Sequence, residues 1–195
     1  MSRPAVFLDK DGTILVDVPF NADPAAMRLA PGADAGLRKL AALNVPLIVV
    51  TNQPGIARGA LTEADMEVIE DHLGWLFARS GAELDGYYYC PHESGCECRK
   101  PAPGLLQRAA ARHGVALERS WMVGDILDDV EAGASAGCRT ILIDNGNETQ
   151  WQPGVLRTPD FCVPDLDAAA AIIEQRMPTR QRHSDAARPD HVERR

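Results

Sequence analysis

Apolar residues along the chain follow two alternating rhythms. Short, nearly unbroken apolar runs occur at Ala5–Leu8, Val45–Val50, Gly86–Tyr89, Trp121–Val123 and Thr140–Ile143. Strands buried on both faces of a parallel sheet have this composition. Between the runs, apolar residues return every three or four positions, the period of an amphipathic helix. ADAGLRKLAAL puts Leu37, Leu40 and Ala41 on one face. LTEADMEVIEDHLGWLFARSG repeats at Met66, Ile69, Leu73, Leu76 and Phe77, with Thr62 and Asp65 spaced as a capping box and Gly81 as a stop. PAPGLLQRAAARHG and LDDVEAGASAG predict two shorter helices, each closed by a glycine. VPDLDAAAAIIEQRM predicts another helix, lying against the sheet. The order β-α-β-α-β-loop-α-β-α-β predicts a three-layer α/β fold with a mostly parallel central sheet. Ligands of such sheets collect at the carboxyl ends of the strands.

A chain of 195 residues is long enough for one domain with a proper core, placed here at residues 1–177. The remainder, PTRQRHSDAARPDHVERR (178–195), has too few apolar residues to bury a core and is expected to be a disordered tail. The net charge of −8 argues against general affinity for nucleic acid or an anionic membrane, both of which favour a basic surface. The chain shows neither the apolar stretch of a signal peptide nor a run of about 20 apolar residues, so it reads as cytoplasmic. Three of its five cysteines fall within nine residues. In a reducing compartment, that clustering reads as metal ligation rather than disulfides.

The residues just past each strand carry the chemistry. Asp9 and Asp11 come after the first, inside VFLDKDGTIL; Thr51, Asn52 and Gln53 come after the second. The cysteine cluster succeeds the third and ends in Arg99 and Lys100; Gly124 and Asp125 succeed the fourth, with Asp128 and Asp129 just behind. Adjacent parallel strands would bring three carboxylates, a hydroxyl and an ammonium to one edge. A Mg²⁺ ion held by Asp9, Asp11 (by side chain or backbone carbonyl) and Asp125 would offset the repulsion between the acids. One acid could then attack phosphorus while the other exchanges protons with the leaving oxygen and with water. Thr51 and Lys100 would stabilise charge on the phosphoryl oxygens, and Gly12 would allow a sharp turn between the two acids.

Taken singly, these patterns have plainer readings: a solvated turn, a loop, a helix with an acidic first turn. Together, DKDGT, VVTNQ, Lys100 and GDILDD resemble the four ordered motifs of the haloacid dehalogenase (HAD) superfamily of phosphatases, over about residues 5 to 145. The resemblance implies a Rossmann-like fold, with Asp9 as nucleophile and Asp11 as general acid/base. It also implies Thr51 and Lys100 as phosphoryl stabilisers and Asp125 as the remaining magnesium ligand. Asp129 matches the second acid of the fourth motif, whose role varies in the superfamily. The intervals between motifs are filled by predicted helices and strands, leaving no room for a large cap. Three loops, 16–30, 54–60 and 90–100, are expected to shape an open pocket for small phosphate esters.

Cys90, His92, Cys96 and Cys98 are spaced Cys-x-His-x₃-Cys-x-Cys. Three thiolates and an imidazole complete a tetrahedral zinc shell, so the expected Zn²⁺ is structural and steadies the loop that delivers Arg99 and Lys100. Cys138 and Cys162 read as small core or near-surface residues, the latter in an apolar turn, PDFCVP.

Within the superfamily, the zinc loop with NQPGIARG and CRKPAPGLL looks most like the D-glycero-D-manno-heptose 1,7-bisphosphate phosphatases of subfamily IIIA. Histidinol-phosphate phosphatases are the alternative. Arg58 and Arg99 are available for a second phosphate, which favours the heptose group. Asp17 with the adjoining VPF resembles part of a substrate-contacting flap, as do Asn52, Gln53 and Pro54. Two positions depart from that group: Ile126 stands where relatives commonly carry a basic residue, and Leu15 where a polar one often sits. The resemblance implies a monomer acting on a small phosphorylated sugar. A zinc-stabilised scaffold without catalysis remains the reading of another class.

Overall fold

The computed structural model describes residues 2–177. Its elements, in chain order, are β1 (Val6–Leu8), α1 (Ala33–Ala42), β2 (Leu47–Asn52), α2 (Glu63–Arg79) and β3 (Gly86–Cys90). They continue with α3 (Gly104–His113), β4 (Trp121–Gly124), α4 (Leu127–Ala136), β5 (Arg139–Ile143), β6 (Phe161–Val163) and α5 (Leu166–Arg176). All neighbouring strands are parallel, in the spatial order β3-β2-β1-β4-β5-β6. The order reverses at β1, so the loops after β1 and its neighbours open around one crevice.

Strand alternation builds the layers. Val6, Leu8, Leu47, Val49, Trp121, Val123, Ile141 and Ile143 pack with apolar residues of α1, α2 and α5. Phe7, Ile48, Val50 and Met122, offset by one position, pack instead with Leu105, Leu106, Ala109 and Ala132 of α3 and α4. Both faces are covered, as the continuous apolar runs require. The predicted capping box is present: Thr62 Oγ1 accepts from the Asp65 amide at 3.2 Å and Asp65 Oδ2 accepts from the Thr62 amide at 2.7 Å. Helices α3 and α4 end at Gly114 and Gly137, as expected.

Two expectations are corrected. Strand β2 runs from Leu47 to Asn52 rather than over 45–50, because Pro46 has no N–H for the ladder while Thr51 and Asn52 pair with Tyr89 and Cys90. The stretch PDFCVP is not a turn. Its centre is β6, kept to three residues by Pro159 and Pro164, with Cys162 exposed. Helix α5 lies against α1 as well as against β5 and β6. The tail at 178–195 lies outside the described residues. No helix among the described residues is long and apolar enough to cross a membrane.

Candidate active site

The functional side chains arise at the carboxyl ends of β1, β2 and β4 and from the loop after β3. The Asp9 amide donates to Val123 O at 2.9 Å, locking the end of β1 to β4. The chain then turns back, with the Ile14 and Leu15 amides both donating to Lys10 O. Gly12 makes this possible twice over. Its φ is +78°, and a Cβ there would stand 2.0 Å from Asp125 Oδ2, so only glycine admits both the turn and the approach of Asp125.

Carboxylate oxygens of Asp9, Asp125 and Asp129 lie within 4.8 Å of one another, and all three residues are buried. Lys100 Nζ sits 2.5 Å from both Asp9 Oδ1 and Asp129 Oδ1 and donates to Val50 O at 2.9 Å. Two of the three buried acids therefore contact one ammonium, and Asp125 feels its charge. Burial, then the charges of Asp129, Asp125 and Asp11, holds the Asp9 carboxyl well above the usual range against the pull of Lys100. Asp125 is pushed up to about 7 by burial and by Asp129, opposed by the Asn147 amide and Lys100. Burial alone would lower Lys100, but Asp129 and Asp9 outweigh it and hold its ammonium above the ordinary lysine value. Hard oxygen donors carrying uncompensated negative charge fit a divalent cation such as Mg²⁺.

Asp11 stands apart from that cluster. Its Oδ1 accepts from Lys10 Nζ at 2.7 Å and its Oδ2 from Gln53 Nε2 at 3.0 Å; Gln53 Nε2 also donates to Thr51 Oγ1 at 3.0 Å. The side chain that joins Asp9 and Asp125 is Asp129, to which the motif match assigns no fixed role. Asp129 Oδ2 also accepts from the Ile126 amide at 3.3 Å, so this acid caps α4 while it meets Lys100. Its place four residues after Asp125, in the first turn of a helix that starts at the site, was the available signal.

A cavity of about 190 Å³ is lined by Asp9, Asp11, Asp17, Thr51, Asn52, Lys100, Asp125, Ile126 and Asn147. Asn147, from the loop after β5, donates to Asp125 Oδ2 at 2.8 Å; no motif in the sequence marks it. Asn52 exchanges two 3.0 Å hydrogen bonds with the Lys100 backbone and so fixes where the lysine enters. Burial, then Asp11, raises Asp17 against the effect of Lys10. Arg58 and Arg99 do not line this cavity: Arg58 donates to Glu93, and Arg99 to His92 O at 3.3 Å. Larger clefts of about 470 and 330 Å³ lie elsewhere, near Trp75 and Asn44, but neither gathers several carboxylates around a lysine.

Beyond β3 the four expected soft ligands converge. The Cys90, Cys96 and Cys98 sulfurs lie 3.1 to 3.5 Å apart, and His92 Nδ1 is 3.6 Å from Cys90 Sγ and 3.4 Å from Cys98 Sγ. A tetrahedron with Zn–S bonds of about 2.3 Å has edges of roughly 3.8 Å, so these donors need to move little to hold zinc. Burial and the neighbouring thiols push Cys90 up to about 12. Slight burial raises Cys96, but the Arg99 amide and the adjoining thiols bring it down to about 6. Lys100 lies two residues after Cys98, which ties the two centres mechanically.

The chain is similar to known phosphatases over most of its length. A family model described as HAD-hydrolase-like matches residues 97–169. The D-glycero-β-D-manno-heptose-1,7-bisphosphate 7-phosphatase of Salmonella typhi is 41% identical over 155 residues, covering 74% of this chain and 82% of the relative. The enzyme of the same name from Escherichia coli K12 is 37% identical over 188 residues, covering 91% and 97%. Among solved structures, the D,D-heptose 1,7-bisphosphate phosphatase of B. bronchiseptica, complexed with magnesium and phosphate, superposes with a TM-score of 0.78 at 33% identity, covering 89% of this chain and 99% of that one. A counterpart from Burkholderia thailandensis gives 0.65 at 26% identity, covering 88% and 98%. On this fold, this cluster of acids around a lysine and this degree of identity, the chain belongs to the D-glycero-β-D-manno-heptose-1,7-bisphosphate 7-phosphatase family of HAD-like hydrolases.

Proposed function

We propose that this chain is a magnesium-dependent phosphomonoesterase that removes the C7 phosphate of D-glycero-D-manno-heptose 1,7-bisphosphate through an aspartyl-phosphate. The observation that carries the reading is the buried set of Asp9, Asp125 and Asp129 around Lys100, at the mouth of the crevice beside β1. The relatives' names supply the substrate, and the magnesium and phosphate bound by the B. bronchiseptica protein support the metal.

In this reading an oxygen of Asp9 attacks phosphorus and the bond to the sugar oxygen breaks. Asp11 gives its proton to that leaving oxygen, then takes one from the water that attacks the aspartyl-phosphate, releasing inorganic phosphate and restoring Asp9. Lys100 and the Thr51 hydroxyl stabilise the equatorial phosphoryl oxygens. Asp9, Asp125 and the Asp11 carbonyl would hold magnesium, which would supply positive charge against the phosphoryl oxygens. Lys10 and Gln53 hold the Asp11 carboxylate at the edge of the site. Asp17, Asn52 and Gln53 border the sugar, and Arg99 is the nearby cation available to its second phosphate. Zinc on Cys90, His92, Cys96 and Cys98 is structural. The reading includes a monomeric, cytoplasmic enzyme whose catalytic domain is residues 1–177.

Phosphate release with magnesium, measured against heptose 1,7-bisphosphate, fructose 1,6-bisphosphate and histidinol phosphate, tests this. The heptose ester should rank first by kcat/KM. Asp9→Asn should still bind it and release no phosphate. A preference for histidinol phosphate would reassign the substrate, and equal behaviour of parent and Asp9→Asn would remove catalysis by Asp9.

A further inference from the structure

Three loops border the crevice, and they meet at one guanidinium that does not line the catalytic cavity. Arg58, on the loop after β2, donates through Nε at 3.0 Å and Nη2 at 2.6 Å to Glu93 Oε1 on the cysteine loop. The same guanidinium lies over the ring of Phe20, 5.6 Å from its centroid, on the loop after β1. Phe20 has φ +53°, a left-handed conformation that a bulky residue keeps only when its surroundings enforce it. Its ring supplies that enforcement. It rests so closely on Gly55 that a Cβ there would stand 2.8 Å from Phe20 Cδ1 and 2.9 Å from Leu61 Cδ1.

The backbone already joins two of the loops, through Ala57 N to Pro91 O at 3.3 Å and Gln53 N to Cys90 O at 2.8 Å. The loop carrying Asp17 and Phe20 is tied at its base, where Val16 N donates to Arg28 O at 2.9 Å. Its tip is held through Phe20. We propose that Glu93, Arg58 and Phe20 form a clasp that positions the 16–22 segment, and with it Asp17, over the catalytic cavity. Arg58 is the shared member: Glu93 aims its guanidinium and Phe20 receives it. Arg58 and Glu93 are about half exposed, 48% and 58% for their side chains. An ion pair at such exposure biases an equilibrium by about fivefold at most. The cation–π contact adds a comparable factor. Contacts of that size hold a segment in place yet release it on thermal fluctuation, which suits an entrance that must pass substrate and product.

Limited proteolysis of the zinc-loaded full chain tests the clasp without reference to any substrate. Arg58→Ala should speed cleavage within residues 16–22 by on the order of tenfold and Glu93→Gln by about threefold to fivefold. Amides in β1 and β2 should exchange hydrogen as slowly as in the parent. Arg58→Lys, which keeps the charge over the ring but loses the fork, should fall between parent and Arg58→Ala. With a turned-over phosphate ester, Glu93→Gln should raise KM by about the same factor as its cleavage rate and leave kcat unchanged. Unchanged cleavage at 16–22 in both Arg58→Ala and Glu93→Gln overturns the proposal. So does faster amide exchange spread evenly over the whole chain, which marks a general loss of stability.

Discussion

Lys100 Nζ stands 2.5 Å from Asp129 Oδ1, with both side chains almost sealed from solvent. The lysine meets Asp9 at the same distance, so one ammonium bridges the proposed nucleophile and an acid on the first turn of α4. A lysine drawn to Asp9 alone would neutralise the attacking group; with Asp129 on its other side, the charge is shared.

Asp129→Ala should therefore cost both stability and rate. Removing Asp129 takes away the Ile126 cap and one Lys100 contact but leaves the ammonium paired with Asp9 and relieves repulsion among the acids, so a loss of only about 2 kcal/mol is expected in urea unfolding. Asp129→Asn keeps the volume and a capping oxygen and should lose less, about 1 kcal/mol. In both, kcat should drop on the order of a hundredfold, because Lys100 no longer sits between two acids. Variants as stable and fast as the parent would show that the pair is incidental.

The raised carboxyls set the sign of the pH dependence. A carboxyl whose pKa is higher in the folded than in the unfolded chain binds its proton more tightly when folded, so stability falls as pH rises between the two values. For Asp125 that window runs upward from the usual carboxylate range to about 7, and Asp9 acts in the same direction. Protein freed of magnesium should melt lower at about pH 7.5 than at about pH 5.5, and added magnesium should raise the melting temperature more at the higher pH. Asn147→Ala removes a hydrogen bond that favours the ionised Asp125. Its magnesium response should shift upward by about one pH unit. A metal-free stability that rises across this window would contradict the assignment.

Zinc removal should reach the reaction through Lys100. A chelator, with magnesium then restored, should leave Asp9, Asp125 and the Asp11 carbonyl able to bind the ion. The loop from Cys90 to Cys98 would then no longer fix the approach of Arg99 and Lys100. A displaced lysine of even about 1 Å can lower turnover on the order of a hundredfold. Zinc content, magnesium titration and kcat measured on one preparation separate the two metals. Unaltered kcat and KM after complete zinc loss would break the link.

Much of this was legible in the chain because each chemical residue comes directly after an apolar run. Asp9, Thr51 and Asp125 sit where strand-end logic puts them, and the tight cysteine spacing announced its own cluster. Contacts made by side chains from distant loops left no such trace. Asn147 has no periodic or motif context, and the turning of Asp11 toward Lys10 and Gln53 depends on packing. Arg58 read as a free cation because nothing in NQPGIARG reveals Glu93, thirty-five residues on, as its partner. Nothing in the sequence marks β6, because three residues between prolines carry too little period to register as a strand.

That brevity at β6 also governs how the molecule behaves in a crowd. An outermost strand exposes a ladder of unmatched amides and carbonyls that a neighbouring chain can extend. Here the free rim at Phe161–Val163 is three residues long, with a proline immediately beyond Val163 and another two residues before Phe161. A second molecule would find little to zip onto at that margin, which guards this one edge of the all-parallel sheet against pairing.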